Sequence, residues 1–131
     1  MYSYLLQDWV TIRGDTTIGV LGQGENDWLD LDGFQEIVAW LDVKEVSFGV
    51  GAPTMYYQTS PSKDAIFFVN MGSVALGGPG LTITPMLKET AAVPLARWLR
   101  WQIQVASNTS WDITFRIWCA ANVTGTRRPA T

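Results

Sequence analysis

Two stretches near the carboxyl end constrain this chain most, because each places an apolar side chain at every second position. Extended backbone turns successive side chains to opposite faces. Leu99, Trp101, Ile103 and Val105 therefore share one face of a strand, and Trp111, Ile113, Phe115, Ile117 and Cys119 share one face of the next. That face is expected to be core. The five-residue polar connection Ala106 to Ser110 predicts that the two strands form a hairpin. With Val105 opposite Trp111, Trp101 would face Phe115 on the core side, while Arg100 would face Arg116 and Trp98 would face Trp118 on the outer side. Opposed arginines repel by a few tenths to ~1 kcal/mol, so an acidic group on a neighbouring strand, another subunit or an anionic ligand is expected to answer them.

Most of the remaining chain also reads as strand. Tyr4 to Arg13 and Thr16 to Leu21, around the turn signal Gly14-Asp15, predict a first hairpin. Gln35 to Ser47 is apolar on both parities between Ile37 and Leu41, which predicts a strand that is central or covered on both faces, with a β-bulge near Lys44-Glu45. Thr54 to Thr59 and Ala65 to Asn70 predict a second hairpin, and Met71 to Gly80 a glycine-rich loop. Leu81 to Leu87 contains Pro85, which places it at a sheet edge. A short helical turn is allowed near Lys88 to Ala92. Eight or nine short strands joined by Gly, Pro and polar turns predict an all-β fold, a two-sheet antiparallel sandwich with jelly-roll-like connections, in one domain over 1–131. Gly125 to Thr131 lacks apolar anchors and is expected to be a flexible tail.

Composition narrows the partners. Hydrophobic residues make up 47% of the chain and charged residues 16%, which excludes disorder and predicts that other protein covers part of the surface. A net charge of −3 argues against a duplex-binding protein, and no apolar stretch approaches the ~18 residues of a membrane-spanning helix. Neither nucleic acid nor membrane is an expected partner. The chain opens without a signal-peptide pattern, so synthesis in a cytoplasm without export is expected. Cys119, the single cysteine, reads as an inert buried thiol.

Chemistry has few footholds. The absence of histidine removes the commonest general base and metal ligand together. Asp30 and Asp32 stand two residues apart beside a turn and read as a solvated loop entry. Glu25, Asp27, Asp30 and Asp32 do not follow the order of a calcium loop, because Trp28 falls on its first position. Ser60 and Lys63 suit an ordinary turn better than a nucleophilic pair, and Gly77 to Gly80 lacks the ending of a phosphate loop. No enzymatic activity, cofactor or metal is expected.

Tryptophan carries more information, with seven in 131 residues. Trp101 and Trp111 fall on the core parity. Trp98 and Trp118 fall on the outer parity with Arg100 and Arg116, which makes these four residues the candidate partner or ligand surface; a second apolar layer within the same chain is the alternative. Residues 1–9 carry apolar side chains on both parities, so Tyr2, Tyr4, Leu5, Leu6 and Trp9 are expected to form a docking arm against a neighbouring subunit.

Residues 28–122 resemble the small β-sandwich proteins encoded among the head genes of tailed bacteriophages, capsid decoration or cement proteins in particular. Three stretches carry the resemblance: Trp28 to Val46, Tyr57 to Asp64, and Pro94 to Trp101. It implies a non-enzymatic protein at the capsid surface of a virion. Such a protein commonly forms a trimer and staples neighbouring subunits of the major capsid protein. A carbohydrate-binding β-sandwich module is the competing expectation, with Trp98 and Trp118 stacking on a glycan beside Arg100, Arg116 and Gln102. A tail or baseplate structural protein is a third.

Overall fold

The computed structural model describes residues 2–14, 20–32, 34–49, 51–87, 93–105 and 110–123. Nine strands run as β1 (Tyr2–Gly14), β2 (Val20–Gly22), β3 (Leu29–Asp30), β4 (Phe34–Phe48), β5 (Thr54–Ser60), β6 (Val69–Ala75), β7 (Gly80–Leu87), β8 (Trp98–Gln104) and β9 (Trp111–Val123). They build two antiparallel sheets. One has four strands in the order β1-β9-β4-β7; the other has the order β2-β8-β5-β6, with β3 as a fifth strand on β8.

The pairings nest. β5 pairs with β6 as a hairpin, and outside it β4 pairs with β7, β2 with β8 and β1 with β9. Such nesting is one long hairpin, and the contacts of β4 with β9 and of β5 with β8 wrap it into two sheets. This winding is the jelly roll. The all-β, two-sheet reading of the sequence holds. So do the edge position of β7, where Pro85 lies opposite Val38, and the irregularity in β4, where the register slips between Val43 and Glu45.

Nested pairing overturns two expected hairpins. β1 and β2 lie in different sheets, and so do β8 and β9. The parity of β8 and β9 is nevertheless as expected, with Leu99, Trp101, Ile103, Val105, Trp111, Ile113, Phe115, Ile117 and Cys119 all buried. These residues face one another across the core instead of along one ladder. Trp101 and Phe115, expected as ladder neighbours, meet edge to face between the sheets with ring centroids 5.1 Å apart. Such a contact adds to the burial of both rings.

Two further differences are local. Ala65–Phe67 is a 3₁₀ turn, because the Asp64 side chain accepts a hydrogen bond from the Ile66 N–H and caps it. The second strand of that hairpin starts later, at Val69, and takes in part of the expected glycine-rich loop. Gly14, expected as a turn signal, has a steric role: it pairs with Trp111, and a β-carbon there would overlap the Trp111 indole. The tail at 125–131 and the turn allowed at 88–92 lie outside the described residues.

Candidate interaction surfaces

Residues 2–9 belong to β1, an edge strand paired along β9, and do not form a free arm. Register shifts between Leu5 and Gln7 and between Gln7 and Val10 explain the apolar residues on both parities. At such irregularities the alternation breaks and neighbouring residues can turn the same way. Leu6 enters the core, and the Gln7 Oε1 accepts a hydrogen bond from the Trp101 indole at 3.1 Å. Tyr2 and Tyr4 set their rings edge-on to Phe34. Only Leu5 and Trp9 of the five expected docking residues join the outer face of the four-stranded sheet, whereas Tyr2, though exposed, pairs on the inner parity.

The four residues expected on one surface are divided between the two outer faces of the sandwich. Arg116 and Trp118 stand on the four-stranded sheet, Trp98 and Arg100 on the five-stranded one. The expected oppositions of Arg100 with Arg116 and of Trp98 with Trp118 therefore do not form. An acid does answer Arg116: Asp42, directly opposite on β4, accepts from its Nε at 3.2 Å. Arg100 is met differently. Its Nε donates to Gln58 Oε1 at 2.7 Å, and its guanidinium lies 4.1 Å from the Phe68 ring centre and 5.1 Å from that of Trp28. Partial burial lowers its pKa from the ordinary value, and no described carboxylate forms an ion pair with it.

The five-stranded face is a connected polar surface. Gln58 Nε2 donates to Asn70 Oδ1 at 2.7 Å and to Gln102 Oε1 at 3.2 Å, and Gln104 donates to the same Gln102 oxygen at 2.7 Å. Trp98 carries the Lys63 ammonium 5.2 Å and the Arg97 guanidinium 5.6 Å from its ring centre. Arg97 also grips Asp30 with two hydrogen bonds, of 2.9 and 3.1 Å, and holds that carboxyl below its usual range. The Ser60 hydroxyl donates to the carbonyl of Ser62 and closes its own turn. Asp30 and Ser60 thus serve structural bonds, and among the described residues no three acidic or thiol groups gather as metal ligands.

The four-stranded face is apolar across its width at the centre and turns polar in the row of Thr11, Thr114 and Glu45. Register places Leu5, Trp118, Trp40 and Ile83 in one transverse row, one residue from each strand. A flanking row runs Ser3, Ala120, Val38 and Pro85, and the other runs from Arg116 through Asp42 to Leu81, with the Trp9 ring 4.7 Å from Arg116. Leu5, Trp9, Trp118, Ile83 and Leu81 are 40–60% exposed. Isolated apolar side chains are ordinary on a surface, but a continuous apolar band across four strands is the mark of a face that meets protein. Sequence reasoning found Trp118 and Leu5 but missed Trp40, Leu81 and Ile83. The signal was the apolar residues on both parities of β4, which becomes a surface only once β7 and β9 are known to flank it.

Sequence reasoning also missed Gln23. This buried amide donates to the carbonyls of Leu6 and Asp27, at 2.8 and 2.9 Å, and so ties β1 of one sheet to the turn beside β8 of the other. No protein-family model matches the chain, and no curated protein matches it.

Proposed function

We propose that this protein is a non-enzymatic structural component of a phage virion, which decorates the capsid and stabilises it by binding coat subunits as an oligomer. The observation that carries the reading is the apolar band of the four-stranded sheet, Leu5, Trp118, Trp40 and Ile83 with Trp9 and Leu81 beside it. A protein that worked alone in water would gain nothing from that face, whereas an assembly component buries it. The resemblance of residues 28–122 to capsid decoration proteins supplies the kind of assembly.

The carbohydrate-binding reading draws less support. The two rings expected to hold a sugar together, Trp98 and Trp118, lie on opposite faces of the sandwich, and of the two only Trp118 is exposed, since the Trp98 ring carries Lys63 and Arg97. The test is co-sedimentation of the purified protein with assembled capsids. Saturable binding is expected; binding to a glycan array without binding to capsids would replace decoration with the carbohydrate reading, and recovery with tails alone would move the protein to the tail or baseplate.

A further inference from the structure

We propose that the outer face of the four-stranded sheet is the contact between two copies of this chain, packed face to face about a twofold axis that runs along the strands between β4 and β9. The inference rests on the reading above only in taking that this face is covered; it assigns the cover to a second copy, which leaves contact with coat subunits to the rest of the dimer surface. The face is self-complementary, as any twofold contact requires, because the same patch must satisfy itself.

β9 and β4 are the two inner strands of this sheet. An axis along the strands and midway between them lays β9 of one copy over β4 of the other. Cross-strand neighbours within one copy then become partners between copies. Trp118 meets the second copy's Trp40, because the two are register partners in one sheet. Ala120 meets Val38 by the same rule and Leu5 meets Ile83, while Trp9, whose ring lies over Arg116, stands at the end of the row that Leu81 closes on the other side. The charges obey it too. Arg116, the register partner of Asp42, lies over the second copy's Asp42, and the exchange occurs twice. Apolar groups thus meet apolar groups and cation meets anion, with no like charges opposed among these rows.

Within one copy only the Arg116 Nε is bonded to Asp42, so the guanidinium retains terminal donors for a second carboxylate. The size also fits. Four strands roughly 4.8 Å apart lie side by side over the eight residues of β7, about 500 Å² at about 3.3 Å per residue, and the three-stranded remainder along the 13 residues of β9 brings the face to roughly 750 Å² per copy, near the share of one partner in a standard interface. Sheets packed face to face lie ~10 Å apart with strands within about 30° of one another, which keeps the central rows in register. The five-stranded face suits this role less, since its centre is polar and internally bonded and its exposed apolar Val20 stands at the edge strand β2.

Sedimentation velocity on the full chain tests the proposal. The wild type is expected at twice the 14.5 kDa of one chain. Trp118→Glu, at an exposed position, is expected to give monomers. Asp42→Arg and Arg116→Asp, each alone, oppose like charges between copies, and each is expected to weaken association by at least about tenfold. Mixed in equal amounts, these two variants are expected to recover the dimer, since an all-cationic face then meets an all-anionic one. Recovery on mixing also demonstrates that both variants are folded. Should either fail to show a native melting transition, Ile83→Lys on the edge strand replaces it and is expected to be monomeric. A monomeric or trimeric wild type, single variants that dimerise as the wild type does, or a folded mixture that stays monomeric overturns the twofold contact, whatever capsids do. A dimer that ignores capsids overturns the decoration reading and leaves the twofold intact.

Discussion

The two outer faces of this sandwich are built from strands with the same alternation, yet they solve opposite problems. On the five-stranded face the polar groups saturate one another: Arg100 is held by Gln58, Gln58 by Asn70 and Gln102, and the rings of Trp28, Phe68 and Trp98 carry cations. On the four-stranded face the ion pair of Arg116 with Asp42 stands among Trp, Leu and Ile side chains, with Lys44 beside the Trp9 ring and Glu45 in the row beyond. A network closed by bonds within the chain contributes to folding, because each amide that loses its partner bears a desolvation cost. The part of an apolar face left open contributes nothing to folding and gains only when something covers it. The comparison therefore separates stability from association, and substitutions on the two faces should fall into different assays.

The largest effect is expected from neither face but from the layer they share. Phe115→Ala removes the ring that meets Trp101 between the sheets and should cost about 3–5 kcal/mol in denaturant unfolding. Next comes the face-to-face contrast itself. Gln58→Leu strips partners from Arg100, Asn70 and Gln102 and should cost about 1–3 kcal/mol, whereas Leu81→Ser, at a 60% exposed position of the edge strand, should stay within about 0.5 kcal/mol when the monomer is measured. Equal costs for the two would break the comparison.

Tyr57 sharpens it from inside. Its hydroxyl is buried with no hydrogen-bond partner among the described residues, and burial pushes its ionisation well above the ordinary range. Tyr57→Phe should raise stability by about 1 kcal/mol while leaving both outer faces and the oligomeric state as they were. A loss of stability instead would mean that the hydroxyl has a partner in the folded protein.

The smallest effect is electrostatic and depends on pH. The hydrogen bonds from Arg97 hold the Asp30 carboxyl below its ordinary 3.8. A depressed folded-state pKa stabilises above the unfolded value and ceases to do so as pH falls through the folded one. The melting temperature of Asp30→Asn should therefore lie slightly below that of the wild type at neutral pH, with the gap closing as the pH drops below 3.8. Both groups are largely exposed, so solvent screening keeps the difference small. A gap that persists at low pH would assign the effect to packing.

Particular residues show how far the sequence could be followed. Pro85 placed β7 at an edge because a proline cannot donate to a second neighbour, and the slip near Lys44 was visible as broken alternation. Arg116 did receive an acidic partner, the β4 residue Asp42. Gln23 was illegible: nothing local marks an amide that will lie buried between Leu6 and Asp27. Trp40 was legible as apolar but not as surface. Whether a both-parity strand is covered on its second face depends on its neighbours, and those come from segments tens of residues away.

Alternation alone determined which side chains of β8 and β9 face inward, because the two-residue period is a property of extended backbone and needs no neighbour. It also determined that Cys119 is buried, where desolvation pushes its thiol up to about 12 and leaves it unreactive at neutral pH. Tertiary structure alone decided that β8 and β9 lie in opposite sheets, which separated Trp98 and Arg100 from Arg116 and Trp118 by the thickness of the molecule. Two strands beside each other in one ladder and two strands facing each other across a core present the same parity. What distinguishes them is the nesting of every other pair around the β5–β6 hairpin, a long-range choice made by the packing of the whole chain.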